Sequence, residues 1–150
     1  LRDAVSRAES DPDVNAVIHT HQPYATAVGL VQDEFEVNLT TLANATAGPV
    51  PVTPYSSAGS IDMGIDTVKY IGDGLAVILA HHGVMTIGKN LKQSLYAAVY
   101  LEEAAKCYLA ARACGETKKM TPEQIEQSIE VFKYYGQGTP TIPKDLVTRK

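Results

Sequence analysis

The sequence predicts an α/β layered domain in which a central mixed, largely antiparallel sheet is covered by helices. Two apolar runs rich in β-branched residues, at positions 16–18 and 75–79, predict buried strands. Several longer segments carry apolar residues every three or four positions, which predicts amphipathic helices around these strands. No internal repeat interrupts this order, so the 150 residues fit one domain.

The composition argues against two classes of partner. The chain has 13 basic and 17 acidic residues and a net charge of −4, and no basic cluster that would attract the phosphates of a nucleic acid. No apolar run approaches the roughly 20 residues that a membrane-spanning helix needs. We therefore expect neither nucleic acid nor membrane as the main partner.

The first elements are a helix already in progress and a strand. Residues 1–10 carry apolar residues at helical spacing without a capping residue, so we expect the chain to start inside a larger domain. A strand at residues 14–21 follows. Pro23 fits the first turn of a short helix that ends near Gly29.

The middle of the chain is harder to interpret. Residues 33–44 suggest at most a short strand and a turn. Residues 49–54 alternate prolines with valines, which is typical of an edge strand. Ser60 can cap a helix, whose expected apolar face consists of Ile61, Ile65, Val68 and Ile71.

The second half predicts a strand and two helices. Residues 83–88 predict a strand or hairpin arm, and the longest helix follows from Lys89 and stops near Gly115. Its expected apolar stripe consists of Leu91, Leu95, Ala98, Leu101, Ala105 and Leu109. Thr121 begins a last helix with a capping box, and its expected core residues are Ile125, Ile129 and Phe132.

Two cysteines lie in the long predicted helix. Cys107 and Cys114 are seven residues apart, and at about 1.5 Å per residue roughly 10 Å separates them, which is too far for a disulfide. We expect buried free thiols, which favours a reducing compartment and a cytoplasmic location.

All four histidines occur in two pairs, each at the end of a predicted strand. His19 and His21 are two residues apart, so they face the same side of their strand, with Cα atoms about 6.6 Å apart. Two imidazoles at this spacing can bind one Zn²⁺ ion, and His81 or His82 can supply a third ligand. The alternative is that these histidines only satisfy local hydrogen bonds at strand ends.

Both histidine motifs resemble those of one enzyme family. His19-Thr20-His21, preceded by residues 12–18, and His81-His82-Gly83, followed by a long helix rich in Ala and Glu, resemble the class II aldolase/adducin-head family. The resemblance extends to Gly136. It implies a class II aldolase-like fold, with residues 1–137 as the C-terminal portion of the domain and residues 138–150 as a tail.

The resemblance also implies a metal site. The family's third ligand immediately precedes a glycine, which selects His82 beside His19 and His21 as ligands of one Zn²⁺ ion per subunit. His81 then has a supporting role. The family's acidic residue and its phosphate-binding residues align before Leu1 and are missing here. The ligand set also suits Mn²⁺ or Co²⁺.

The activity that the resemblance implies is sugar-phosphate chemistry. The metal polarises the carbonyl of a ketose phosphate. We favour a zinc-dependent aldehyde-lyase that cleaves a substrate of the L-fuculose 1-phosphate type to dihydroxyacetone phosphate and an aldehyde. L-Ribulose-5-phosphate 4-epimerase is the near alternative, and a methylthioribulose-phosphate dehydratase is a third. A non-catalytic adducin-head-like assembly domain is disfavoured because the histidine triad is intact.

Two further residues bear on the subclass. Thr40 lies near the position where fuculose-phosphate aldolases have a tyrosine, and Asn44 lies where the epimerases have an aspartate. The sequence therefore matches neither pattern in full.

Tyr135, before Gly136, matches the family's C-terminal proton donor. The resemblance implies a homotetramer, with this tyrosine reaching an active site between subunits.

Overall fold

The structure is a computed structural model and describes residues 12–134. These residues form five strands and five helices: β1 (Ala16–Thr20), α1 (Pro23–Gly29), β2 (Glu34–Phe35), α2 (Thr40–Thr46), β3 (Val50–Pro51), α3 (Ile61–Ile71), β4 (Ala76–Leu79), β5 (Gly83–Gly88), α4 (Leu91–Cys114) and α5 (Pro122–Phe132). The predictions for residues 1–10, for Tyr135 and for the tail at 138–150 lie outside the described residues.

An antiparallel three-stranded sheet is the centre of the fold. β5 lies between β1 and β4, and it is antiparallel to both. β2 and β3 form a separate antiparallel pair, and a single parallel bridge between Val52 and Ile78 connects this pair to β4. The α/β class and the mixed, largely antiparallel sheet are thus confirmed.

The sheet carries apolar side chains on both faces. Ile78 and Val84 belong to one buried cluster, which includes Leu101 of α4. Val77 and Met85 belong to a second cluster on the side of α3. Because side chains alternate along a strand, these neighbouring residues face opposite layers. Helices therefore cover the sheet on both sides.

Three predicted helix starts are confirmed by their capping hydrogen bonds. Ser60 Oγ accepts from the backbone N–H of Met63 at 3.1 Å, before α3. Asn90 Oδ1 accepts from Gln93 N at 2.9 Å, before α4. Thr121 forms the expected capping box before α5. Each cap depends only on residues that are close in sequence, so it forms in the folded chain as predicted.

The helix α2 was missed, because residues 33–44 were expected to hold only a strand and a turn. Its N-cap is Leu39, which provides no side-chain cap, and its first turn has no acidic residue. The helix is stabilised by burial instead: Leu42 and Ala43 have no exposed surface. Tertiary packing thus decides the structure of a segment with a weak local signal.

Several expected core positions are exposed, and these predictions were wrong. In α3, Ile61 and Ile65 face solvent while Met63 and Thr67 are buried. In α4, the N-terminal part of the expected stripe, Leu91 and Leu95, is exposed, whereas the central part is buried. The sheet contacts only one side of each helix, and the apolar pattern continues beyond that side.

The remaining corrections concern α5 and the thiols. Ile125, Ile129 and Phe132 are only partly buried, since α5 has no fully buried residue. Cys107 and Cys114 are free, as expected, but both are exposed rather than buried. No helix among residues 12–134 combines the length and apolar character required to cross a membrane.

Two leucines of α4 test this assignment of the core. Leu101 is fully buried and Leu95 is 51% exposed. We predict that Leu101→Ala lowers the free energy of unfolding by about 2–5 kcal/mol, because the cavity cannot fully close. Leu95→Ala is the matched control and should change it by less than about 0.5 kcal/mol. Urea unfolding followed by circular dichroism measures both, and equal losses would contradict the assignment.

Candidate metal centre

Two neighbouring chain segments bring three histidines together at one end of the sheet. His19 lies in β1, and His21 follows the end of this strand. His82 lies in the three-residue turn between β4 and β5, and its backbone N–H donates to Leu79 O at 3.0 Å. Since β1 pairs with β5, with Thr20 opposite Val84, this turn lies beside the end of β1.

The three imidazoles face one another. Their ring centroids are 4.9–5.0 Å apart, and the Nε2 atoms of His21 and His82 are 3.1 Å apart. One nitrogen from each ring lies within 4.8 Å of the other two. Two zinc–nitrogen bonds span at most about 4.2 Å, so small ring rotations would bring all three nitrogens onto one ion.

A backbone carbonyl fixes the orientation of His19. His19 Nδ1 lies 2.9 Å from the carbonyl oxygen of Val84. A carbonyl only accepts, so Nδ1 carries the proton and donates, which leaves Nε2 free as a metal ligand. Metal-binding histidines usually donate their second N–H in this way. No sequence pattern indicates this contact, because it depends on the pairing of β1 with β5.

Gly83 allows the two histidine segments to approach. A Cβ atom at this position would lie 2.4 Å from the carbonyl oxygen of Thr20 and 3.1 Å from the ring of His21. The first distance is too short for any Cβ atom, and the second is a tight contact. The glycine after His82 is therefore a steric requirement of the cluster.

The cluster disfavours protonation. Burial lowers the pKa of His82 below its ordinary value of 6.5, and the positive charges of His19 and His21 lower it further. A neutral imidazole is the form that binds a metal ion. Three convergent imidazoles, of which His19 has a fixed tautomer, therefore fit a divalent cation such as Zn²⁺, and these residues would hold it.

His81 lies outside the cluster. Its backbone adopts the left-handed region at φ 58°, and its exposed ring lies 6.1 Å from that of Tyr55, centroid to centroid. This left-handed conformation completes the turn. The side chains of His81 and His82 consequently point in different directions. His82, rather than His81, is the residue that the structure brings to His19 and His21.

Thr40 and Asn44 line a different part of the surface. They belong to a cleft of about 810 Å³ between α2, α4 and α5, to which Tyr96, Tyr100 and Phe132 also contribute. Burial, followed by the hydrogen bond with Tyr100, raises the pKa of Tyr96 to about 12. The three histidines do not line this cleft.

The fold and the cluster define a layered α/β domain with three convergent histidines at one end of its sheet. A sequence profile described as "Class II Aldolase and Adducin N-terminal domain" matches residues 6–109. The chain belongs to this family, which confirms the resemblance inferred from the two histidine motifs.

The chain is similar to several named aldolases. It is 29% identical over 127 residues to a 5-methylthioribulose-1-phosphate/5-deoxyribulose-1-phosphate aldolase of Rhodospirillum rubrum, covering 85% of this chain and 58% of that protein. It is 30% identical over 129 residues to L-fuculose phosphate aldolase of Escherichia coli K12, covering 85% and 60%. The chain thus spans about three-fifths of the length of these relatives.

A solved structure shares the fold. The structure of an L-fuculose 1-phosphate aldolase superimposes with a TM-score of 0.82 at 26% sequence identity, covering 88% of this chain and 62% of the other. The class II aldolase-like fold expected from the sequence is therefore confirmed.

The two adjacent histidines offer a matched pair of variants. We predict that His82→Ala weakens Zn²⁺ binding more than about 100-fold, beyond the loss typical of a residue that only supports a ligand. His81→Asn should leave the affinity unchanged, because asparagine tolerates the left-handed backbone and the ring is outside the cluster. Competition with a chromophoric chelator measures both affinities. Equal effects of the two substitutions would contradict the assigned ligand set.

The affinity for the metal should also depend on pH. Protons compete with the cation for the three imidazoles, and His82, with its lowered pKa, keeps its neutral form to lower pH than an unperturbed histidine. We predict that affinity is constant well above pH 6.5 and falls progressively below it. Chelator competition between pH 5 and 8 tests this, and an affinity that does not change over that range would contradict it.

Proposed function

We propose that the protein is a metal-dependent aldolase that cleaves a ketose 1-phosphate to dihydroxyacetone phosphate and an aldehyde. The observation that carries this proposal is the convergence of His19, His21 and His82 in a chain of the class II aldolase family. The histidines would hold one divalent cation, with Zn²⁺ as the first choice. When bound, this cation supplies a Lewis acid that polarises the substrate carbonyl.

The accessibility of the cluster suits a catalytic site. His21 is exposed, and His19 and His82 are partly buried, so a substrate can approach the nitrogens from solvent. Three protein ligands would leave room for a substrate to bind the cation, whereas structural zinc sites usually have four protein ligands. The carbonyl of Val84 keeps His19 in the required tautomer while the substrate enters and leaves.

The names of the relatives support the substrate class. The relatives described above are named for 5-methylthioribulose 1-phosphate, 5-deoxyribulose 1-phosphate and L-fuculose 1-phosphate, so the 1-phosphate is common to the three names and the rest of the sugar varies. Aldol cleavage breaks the bond between the third and fourth carbons. The hydroxyl on the fourth carbon loses its proton to form the aldehyde, and the triose phosphate gains one. We favour a substrate of the L-fuculose 1-phosphate type.

Tyr135 remains our proposal for a proton donor. It comes directly after the described residues, and the family resemblance implies that the equivalent tyrosine contributes to a site between subunits. We accordingly propose a homotetramer. We also propose a cytoplasmic location, because two free, exposed thiols suit a reducing compartment.

Product analysis tests the activity. We predict that the metal-loaded protein releases dihydroxyacetone phosphate from L-fuculose 1-phosphate, detected with a coupled triose-phosphate reductase, and that His82→Ala abolishes the release. 5-Deoxyribulose 1-phosphate and L-ribulose 5-phosphate are assayed in parallel. Interconversion of pentose phosphates without triose release would replace the aldolase with the 4-epimerase. Loss of water without triose release would indicate the dehydratase, and no turnover would favour the non-catalytic assembly domain.

A further inference from the structure

The position of His21 is not fixed by the sheet alone. The ladder between β1 and β5 ends at the pair Thr20–Val84, so His21 is the first residue beyond it. The next residue, Gln22, is already the N-cap of α1. The backbone of His21 therefore links the end of the strand to the start of this helix, and whatever anchors α1 also determines where the imidazole lies.

A carboxylate from α4 caps α1. Gln22 provides no side-chain cap. Instead, Glu102 Oε1 accepts from the backbone N–H of Tyr24 at 3.1 Å, and Glu102 Oε2 accepts from that of Ala25 at 2.9 Å. Both N–H groups belong to the first turn of the helix and have no acceptor within it. A carboxylate is a strong acceptor there, because its charge also complements the positive end of the helix dipole.

A third hydrogen bond joins the same two elements. Gln22 Nε2 donates to the carbonyl oxygen of Ala98 at 2.8 Å, one turn of α4 before Glu102. α4 is itself held in the core, where Ala98 and Leu101 are almost completely buried. The segment that follows His21 is thus attached to a rigid helix by three hydrogen bonds over four residues.

We propose that Glu102 is a positioning residue for the metal ligand His21. The carboxylate reaches across 77 residues of sequence to cap α1, and α1 in turn keeps the backbone of His21 close to His82. This inference rests on the proposed metal site. Without the carboxylate, two N–H groups lose their acceptor, the first turn of α1 loosens, and the imidazole of His21 no longer converges with the other two.

Metal affinity measured on the purified protein tests the role of Glu102. We expect Glu102→Ala to weaken Zn²⁺ binding about 10-fold to 100-fold, as is typical when a residue that orients a ligand is removed. Glu102→Gln keeps the side-chain shape and one acceptor oxygen, so its affinity should lie between those of wild type and Glu102→Ala. Glu103→Gln is the matched control: Glu103 is the exposed next residue of the same helix, and its substitution should leave the affinity unchanged.

A double-mutant cycle tests whether Glu102 affects metal binding through His21. In a His21→Ala background, Glu102→Ala should cause no further weakening, because the side chain that it positions is already absent. A merely structural role predicts the same additional loss in both backgrounds, and that result would overturn the inference. Visible absorption of the Co²⁺-loaded protein adds a readout of geometry: the spectrum should change in Glu102→Ala and remain that of wild type in Glu103→Gln.

The outcomes separate the two proposals. Wild-type affinity in Glu102→Ala, with zinc still bound by the unmodified protein, would overturn the positioning role and leave the metal site intact. Absence of zinc binding by the unmodified protein would overturn both. If Glu102→Ala fails to fold by circular dichroism, Glu102→Gln decides: intermediate affinity supports the inference, and unchanged affinity overturns it.

Discussion

The antiparallel pairing of β1 with β5 is the interaction on which the histidine cluster depends. His21 and His82 are 61 residues apart in sequence, and they meet because this register places the end of β1 beside the turn that precedes β5. The approach is close enough that Gly83 has no room for a Cβ atom. The same pairing supplies the Val84 carbonyl that orients His19. This strand pair thus brings the two histidine segments together and sets the tautomer of His19.

Collecting three imidazoles in one place has an electrostatic cost that a cation offsets. In the protonated state the rings repel one another, and both burial and this repulsion lower the pKa of His82. A divalent ion bound by His19, His21 and His82 would replace the competing protons and make the arrangement stabilising. Before a cation is bound, the surrounding structure must keep the three rings together. The sheet does this for His19, the turn for His82, and the hydrogen bonds between α1 and α4 for His21.

The sequence alone predicts the features that depend on residues close together in the chain. Capping side chains and β-branched runs act locally, so the starts of α3, α4 and α5 and the strands beside the histidines could be predicted. The spacing of His19 and His21 placed both rings on one face of a strand for the same reason. The choice of His82 over His81 came from the family resemblance. In the structure it follows from the left-handed backbone of His81.

Features that depend on distant contacts could not be predicted. The helix α2 has a weak local signal and forms because its apolar side is buried. Ile65 and Leu95 repeat the spacing of core residues, yet they lie beyond the area that the sheet covers. Glu102 resembles any charged residue of a helix in sequence. Its role depends on a fold that brings α1 to α4, and no pattern within α4 indicates it.

X-ray absorption at the zinc edge, on protein loaded with one equivalent of Zn²⁺, tests the central claim most directly. The account predicts a first shell of nitrogen and oxygen atoms at about 2.0–2.1 Å, with the outer-shell scattering of three imidazole rings. A sulfur shell at about 2.3 Å would instead place the ion on the exposed thiols of Cys107 or Cys114. That result, or an ion bound by fewer than three imidazoles, would contradict a metal centre built from His19, His21 and His82.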